Sequence, residues 1–533
     1  MPQDAVAARI DALFADWRDD APGGSLTLLR GGEPVLRRCF GRANLEHAVP
    51  VTAETRFHIA SVTKTFVGAA CALLHHQGRL DLDGDVRDWV PELRPESTVT
   101  LRHLLTMTSG LRDSMESMVA RGVWFRYPRS SQDLLDLVFA QTTQSFPTAA
   151  RWSYTNINFN LLALVIERVS GQGFDEFLAE TFWQPLGMHD TLLRDSNTQA
   201  VARLADAYVA GPGGWEKGTW AFGLSGAGGL VSTQGDLVRW QGMFRAGGLH
   251  GAPIVTLMSE RGTLRDGARP YYGLGLGVRP YRGVTVLSHS GGLPGYKAMF
   301  ARVPECDFAL VLLCNREDAD PGARLRRILD ICLEDEFPEP SPEMARPVAM
   351  PPAGIDGRYL DPISGEVATL AVDGGVVKLE KLGTALALRP DETGGFSDGW
   401  GNFLATVRLV ARPAGGRPDL HLDFGGQCGV FAPVAPHVPA DLAACTGLYR
   451  NAEMRGDMEV FVRDGLPLLR FGPAFHREAE LALEPVAQDV FLARHERPWG
   501  AASYAVRFLR HAGAVEAVLV SSDRLKDIRF VRV

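Results

Sequence analysis

The spacing of apolar residues changes character along this chain. Up to about residue 335, short strand-length apolar runs alternate with segments whose apolar positions recur every three to four residues. Ser61 to Gln77 reads as a helix stopped by Gly78, and Asn158 to Val169 as another stopped by Ser170-Gly171. The most continuous apolar run, Phe308 to Cys314, has the length of one buried strand. Further on the helical period vanishes. Glu366–Val372, Val376–Glu380, Met458–Val462 and Ala505–Leu509 alternate in the manner of strands, with Asp-Gly and Gly-Gly turns between such runs.

Two proline-rich stretches mark the breaks. Glu336 to Ala353 carries proline at 338, 340, 342, 347, 351 and 352, and Phe431 to Asp441 is built alike. Such spacing forbids a helix interior or a central strand and favours an extended connector. The segments after the breaks resemble each other. Gly357-Arg358-Tyr359 is followed by Val372-Asp373-Gly374, and Gly447-Leu448-Tyr449 by Arg463-Asp464-Gly465. The offset, about ninety residues, suits one small all-β domain. The expected architecture is α+β: a mixed body at 1–337, a linker at 338–353, a β-barrel at 354–432, a linker at 433–440 and a second barrel at 441–533.

Composition narrows the function classes. The 533 residues are 46% hydrophobic and 22% charged, enough for a large core. A net charge of −8, with no basic run interleaved with aromatics, argues against nucleic acid as partner. No apolar run approaches the roughly 20 residues of a membrane span. The acidic amphipathic start, MPQDAVAARIDALFADWRDD, does not read as a secretory signal. Seven cysteines without CxxC pairs read as reduced thiols of a cytoplasmic protein rather than a disulfide framework or zinc site.

Three short motifs carry candidate chemistry. Ser61-Val62-Thr63-Lys64 opens a predicted helix, where unpaired N–H groups and the dipole favour developing negative charge. Lysine three residues on shares the serine's face, so its amine can approach the hydroxyl. Tyr154-Thr155-Asn156 precedes the second helix. A phenol of pKa about 10 is a poor base, but a lysine ammonium beside it would favour the phenolate. Ser61, Lys64 and Tyr154 together would activate a serine without histidine. Asn156 offers a donor and an acceptor to a substrate amide. His289-Ser290-Gly291-Gly292 ends an apolar strand, where Gly291 would admit a substrate backbone and the Gly292 N–H could join that of Ser61 as an oxyanion hole.

Other readings find less support. His75-His76 cannot place both rings on one helix face, and H-E-x-x-H is absent. Gly273-Leu274-Gly275-Leu276-Gly277 has the wrong spacing for a dinucleotide site, and Gly223-Leu224-Ser225 lacks the last glycine of a nucleophile elbow. A Ser-His-Asp triad is left open, though nothing in the sequence requires one.

The order S-x-x-K, Y-x-N, H-x-G resembles the penicillin-recognising, β-lactamase-related serine hydrolases. Phe57-His58-Ile59-Ala60, Leu80-Asp81-Leu82-Asp83, Leu104 to Leu111, Pro185-Leu186-Gly187-Met188 and Ser225 to Leu230 agree with it, so the resemblance spans roughly residues 20–335. His-Ser-Gly stands where that class often has Lys-Thr-Gly, which counts against an efficient β-lactamase. With the two barrels, the chain is similar to the bacterial D-stereospecific aminopeptidases. That resemblance implies a β-lactamase-like catalytic domain and release of an N-terminal D-amino acid from short peptides, amides or esters. It implies no metal or cofactor, a homodimer, and a loop of the last barrel reaching the active site. Here that loop would be Arg494 to Gly500, with Arg497, Trp499 and Gly500 against the substrate. The alternatives are a carboxylesterase or D,D-peptidase on the same scaffold and, from another class, a silent binding or sensor module.

Overall fold

A computed structural model describes residues 3–123, 127–245, 247–338, 354–374, 376–382, 384–390, 395–397, 405–412, 415–424, 427–435, 442–472, 480–497 and 500–533. Most of the first proline-rich linker, 339–353, lies outside them, as do 436–440 of the second.

The body is built on one antiparallel sheet. Helix α1 (Gln3–Ala12) precedes β1 (Gly24–Arg30) and β2 (Glu33–Phe40). Helices α2 (Thr63–His76), α3 (Ser114–Ala120) and α4 (Ile157–Ser170) lie in the long middle segment. The chain then returns through β3 (Gly277–Tyr281), β4 (Val284–Leu293), β5 (Tyr296–Val303) and β6 (Phe308–Cys314), and helix α5 (Pro321–Cys332) follows. The sheet order is β3-β4-β5-β6-β1-β2, so β6 closes on β1 with Gly24 opposite Cys314.

The apolar run Phe308–Cys314 is thus a central strand, buried at every position because both faces are covered. Its alternate residues divide between two cores. Leu310 and Leu312 join Leu26 and Leu28 against Ile10 of α1 and Ile328 of α5. Val311 and Leu313 face the helical middle segment, with Phe57, Phe66 and Phe159. At the edge, β2 shows no fully buried residue and alternates as a one-sided strand should.

The Gly273–Gly277 string has a packing role. Gly275 holds φ +71, and a Cβ there would strike the backbone oxygen of Lys64. On the other side a Cβ on Gly68 would strike the backbone oxygen of Leu274. Helix α2 and this segment therefore touch backbone to backbone, which only glycine permits.

Two closed eight-stranded antiparallel barrels follow, from Gly357–Leu360 to Gln427–Pro433 and from Gly447–Asn451 to Ile528–Arg532. The sequence repeat is a structural repeat. Tyr359 donates its hydroxyl to the oxygen of Ile355 at 2.7 Å, and Tyr449 to that of Cys445 at 2.8 Å, four residues back in each case. An arginine covers each ring, Arg417 at 5.3 Å and Arg532 at 5.9 Å. Gly357 and Gly447 leave the space these arginines use.

Polar clamps join the parts. Glu453 of the second barrel accepts from Thr142 at 2.6 Å and Thr143 at 2.8 Å, and pairs with Arg112 at 3.1 Å. Between barrels, buried Glu366 pairs with Lys381 at 2.7 Å and with Lys526 at 2.5 Å. Two cations hold that carboxylate far below the ordinary glutamate range, against the opposing effect of burial.

Gly275→Ala should lose about 2–4 kcal/mol in urea unfolding, through strained left-handed backbone plus overpacking. Gly267→Ala, also at positive φ but with open space around it, should lose only the smaller conformational share.

Candidate active site

Ser61 lies in a 3₁₀ turn, Ala60–Val62, that runs directly into α2. Ala60 has φ +47, a left-handed conformation unusual for a residue with a Cβ. Ile59 is fixed on one side by donating to the oxygen of Leu230 at 3.0 Å. Ser61 is half-buried at the helix start, while its neighbours Ala60 and Val62 are buried.

One turn along, Lys64 is wholly inaccessible to solvent. Its Nζ stands 2.5 Å from the oxygen of Ala227, 3.0 Å from Oδ1 of Asn156 and 3.1 Å from Oγ of Ser61. Burial pushes Lys64 well below the ordinary lysine range; the charge of Arg524 adds to this and that of Asp113 opposes it. A neutral amine has two hydrogens and one lone pair. In that form the two carbonyl oxygens would take the hydrogens and leave the lone pair for the Ser61 hydroxyl, whereas the protonated amine donates to all three neighbours.

The two acceptors are themselves held. Ala227 sits in the turn Ser225–Ala227, pressed on α4 because Gly226 has no Cβ to strike the oxygen of Phe159. Asn156 is oriented by Asp113, whose Oδ2 accepts from its backbone N–H at 2.8 Å and from Nδ2 at 3.3 Å. Asp113 Oδ1 caps α3, accepting from the N–H groups of Met115 and Glu116 at 3.0 Å each. Asn156 thus spends its oxygen on Lys64 and one amide hydrogen on Asp113, leaving one hydrogen for a substrate.

Tyr154 lies close enough to the Ser61 side chain for the two to act on each other, and its ring centroid is 4.9 Å from the Lys64 amine. Burial raises its pKa; Ser61 and the Arg524 charge pull against that. The expected phenolate stabilised by a lysine ammonium is not what these surroundings favour, because the buried amine itself resists protonation. Tyr154 is held as the phenol, beside an amine that burial pushes toward its neutral form.

His289, Gly291 and Gly292 lie on β4. The β3 partner ends opposite Ser288, and residues 289–293 continue paired with β5 alone. Gly291 presses on the turn before the serine, where a Cβ would strike the oxygen of Ile59. Gly292 is exposed. His289 is buried, and that burial, with the Lys64 charge, pushes its pKa down to about 3. Its Nδ1 donates to the oxygen of Ser290 at 2.6 Å, so Nε2 is the acceptor for the Tyr272 hydroxyl at 2.9 Å. His289 is neutral with both nitrogens occupied.

A sequence profile described as Beta-lactamase matches residues 6–333. The chain belongs to the beta-lactamase family. Similarity to a D-aminopeptidase of Cereibacter sphaeroides extends over 99% of both chains at 27% identity. A D-amino acid amidase from Ochrobactrum anthropi, solved with D-phenylalanine, covers 62% of this chain and 99% of its own at 25% identity and TM-score 0.53. An octameric penicillin-binding protein homologue from Pyrococcus abyssi shares the fold over 88% of this chain and 98% of its own, at 22% identity and TM-score 0.57.

In this beta-lactamase family chain, the three sequence motifs meet at one place. The proposed substrate loop reads differently from an interruption. Val490–Arg497 and Gly500–His511 are strands of one hairpin, with Arg497 opposite Gly500. Trp499 lies outside the described residues, and so do the side chains of 495–502. Another loop of the same barrel approaches the site, because Arg524 lies 5.1 Å from the Tyr154 ring. Sequence reading missed Arg524 and Asp113. For Asp113 a local signal existed: Asp113-Ser114-Met115-Glu116 has the form of a helix cap.

Asp113→Ala should cost about 2–4 kcal/mol of stability by chemical denaturation, through a lost cap and orphaned buried donors. At a temperature where the variant is still folded, its kcat should fall at least about 10-fold as Asn156 loses its orientation.

Proposed function

We propose that this chain is a serine hydrolase that releases N-terminal D-amino acids from short peptides, amides or esters through a Ser61 acyl-enzyme. The observation that carries the mechanism is the Lys64 amine, held between two carbonyl acceptors with Ser61 Oγ as its third neighbour. The likeness over 99% of the chain to a protein named D-aminopeptidase supports the substrate class.

In this mechanism Ser61 attacks the scissile carbonyl as its proton passes into the Lys64–Tyr154 pair. Tyr154, beside Ser61, relays a proton to the departing nitrogen or oxygen. The developing oxyanion rests on the N–H groups of Ser61 and Gly292, the second on an exposed strand edge. Water then attacks the acyl-enzyme and the same base accepts its proton. His289 holds Tyr272 and the strand end and is a positioning residue. Arg497, Trp499 and Gly500 remain part of the proposed substrate wall by resemblance alone. A homodimer and a cytoplasmic location belong to the same proposal, the first resting on resemblance and the second on seven free thiols. Among the described residues no helix is long and apolar enough to cross a membrane.

Steady-state hydrolysis of D- and L-alanine p-nitroanilide tests the reading. Wild type should cleave the D form selectively, and Ser61→Ala should lose at least about 10⁴-fold in kcat. Ser61-dependent cleavage of simple esters with neither anilide touched would keep the nucleophile and remove the aminopeptidase assignment.

The pH profile tests the base. kcat/KM should rise with pH as Lys64 sheds its proton, over a range below that of ordinary lysine. His289→Gln should lower the rate yet leave that limb in place, since one neutral group replaces another. A limb that disappears in this variant would make His289 the base.

A further inference from the structure

Arg524 stands out among the charged groups that the mechanism does not use. It belongs to the tight connection between the strands Ala514–Ser521 and Ile528–Arg532 of the last barrel. That connection is tied down on all sides. The Ser522 N–H donates to the oxygen of Leu525 at 2.8 Å, and the Asp527 N–H to Oγ of Ser521 at 2.9 Å. Lys526 donates to the oxygen of Ser522 at 2.9 Å and reaches Glu366 of the other barrel at 2.5 Å. The residue held at its tip is aimed at the catalytic tyrosine: Arg524 Cζ lies 5.1 Å from the Tyr154 ring centroid.

The guanidinium is half-buried, yet no described residue accepts a hydrogen bond from it. The carboxylate of Asp113 acts on it through charge. Its oxygens already take two N–H groups of α3, the backbone and amide of Asn156, and the Thr155 hydroxyl. An arginine brings five donors in a planar fork matched to a carboxylate. Leaving them unused in a partly desolvated site is costly unless a ligand supplies the acceptor.

We propose that Arg524 determines specificity by binding the α-carboxylate of the leaving residue, so that dipeptides with an N-terminal D-residue are the preferred substrate class. This rests on the D-aminopeptidase reading above. The group that protonates the leaving nitrogen must touch it, and Arg524 packs on that group. In a dipeptide the carboxylate lies only two bonds from the leaving nitrogen. An amide or anilide has no such charge, and a longer peptide carries it further off. The same cation repels the substrate ammonium from this side, which sets the direction in which a dipeptide enters.

The test compares ratios of kcat/KM in the full-length protein: D-alanyl-glycine against D-alanyl-glycinamide, and m-carboxyphenyl acetate against phenyl acetate. Wild type should favour the acid of each pair by about 10-fold, the scale of one charge-assisted hydrogen-bonded pair. Arg524→Gln should bring both ratios to near one, whatever happens to the rate common to the pair, and Arg524→Lys should keep part of the preference. A common loss without a change of ratio would reduce Arg524 to a structural or electrostatic support and overturn the proposal. So would equal rates for acid and neutral partner in wild type. If neither dipeptide substrate is cleaved but the ester pair shows the Arg524-dependent preference, the carboxylate site stands and the D-aminopeptidase reading falls.

Discussion

A lysine amine sealed from water is the constraint on which the rest of this site depends. Burial removes the hydration that an ammonium needs, so Lys64 is held toward its neutral form. A neutral amine is useful only if its lone pair points at the proton it must take. Here two carbonyl oxygens, from Ala227 and Asn156, set that direction. Each belongs to a different part of the chain and each is immobilised by something else. Gly226 brings one against α4, and Asp113 turns the other. The catalytic arrangement is therefore the visible end of a packing problem. Backbone contacts at Gly275 and Gly291 press a returning segment and a sheet strand onto the nucleophile's own backbone.

Polar fasteners tie the barrels to this arrangement, beside apolar contact that joins the core of the last barrel to that of the body and the two barrels to each other. Glu453 attaches the last barrel near Thr142 and Arg112, one residue from Asp113. Buried Glu366 joins the barrels through Lys526, two residues from Arg524. A duplicated scaffold has thereby been given one copy-specific task. The Tyr359 and Tyr449 bonds, with their covering arginines, keep both barrels alike, while one connection of the second copy carries a charge to Tyr154.

Much of this is legible in the order of residues along the chain. The change from a 3.6-residue period to alternation places two β-barrels after a mixed body, and the Gly-x-Tyr repeat marks them as related. Helix ends at Gly78 and Gly171 fall where glycine takes the left-handed conformation. Ser61 and Lys64 share a helix face at three-residue spacing, so their approach is local. That Tyr154 and His289 meet them follows from motif order and not from any local rule. Less is legible where backbones touch. The spacing of Gly273 to Gly277 excludes a nucleotide motif, but its packing role on α2 requires knowing what lies opposite.

Period, turn chemistry and helix caps are properties of neighbouring residues, and they determined the elements, the repeat and the serine–lysine pair from sequence alone. Which protonation state those residues adopt was decided by tertiary structure. Burial works against the expected phenolate beside an ammonium and pushes both groups toward their neutral forms, because desolvation depends on everything packed around a group. The same holds for His289, whose two nitrogens were assigned only by the carbonyl and hydroxyl facing them. It holds most for Arg524, which reaches Tyr154 from the far end of the chain. No spacing rule carries that contact, since it exists only after two barrels have closed and docked.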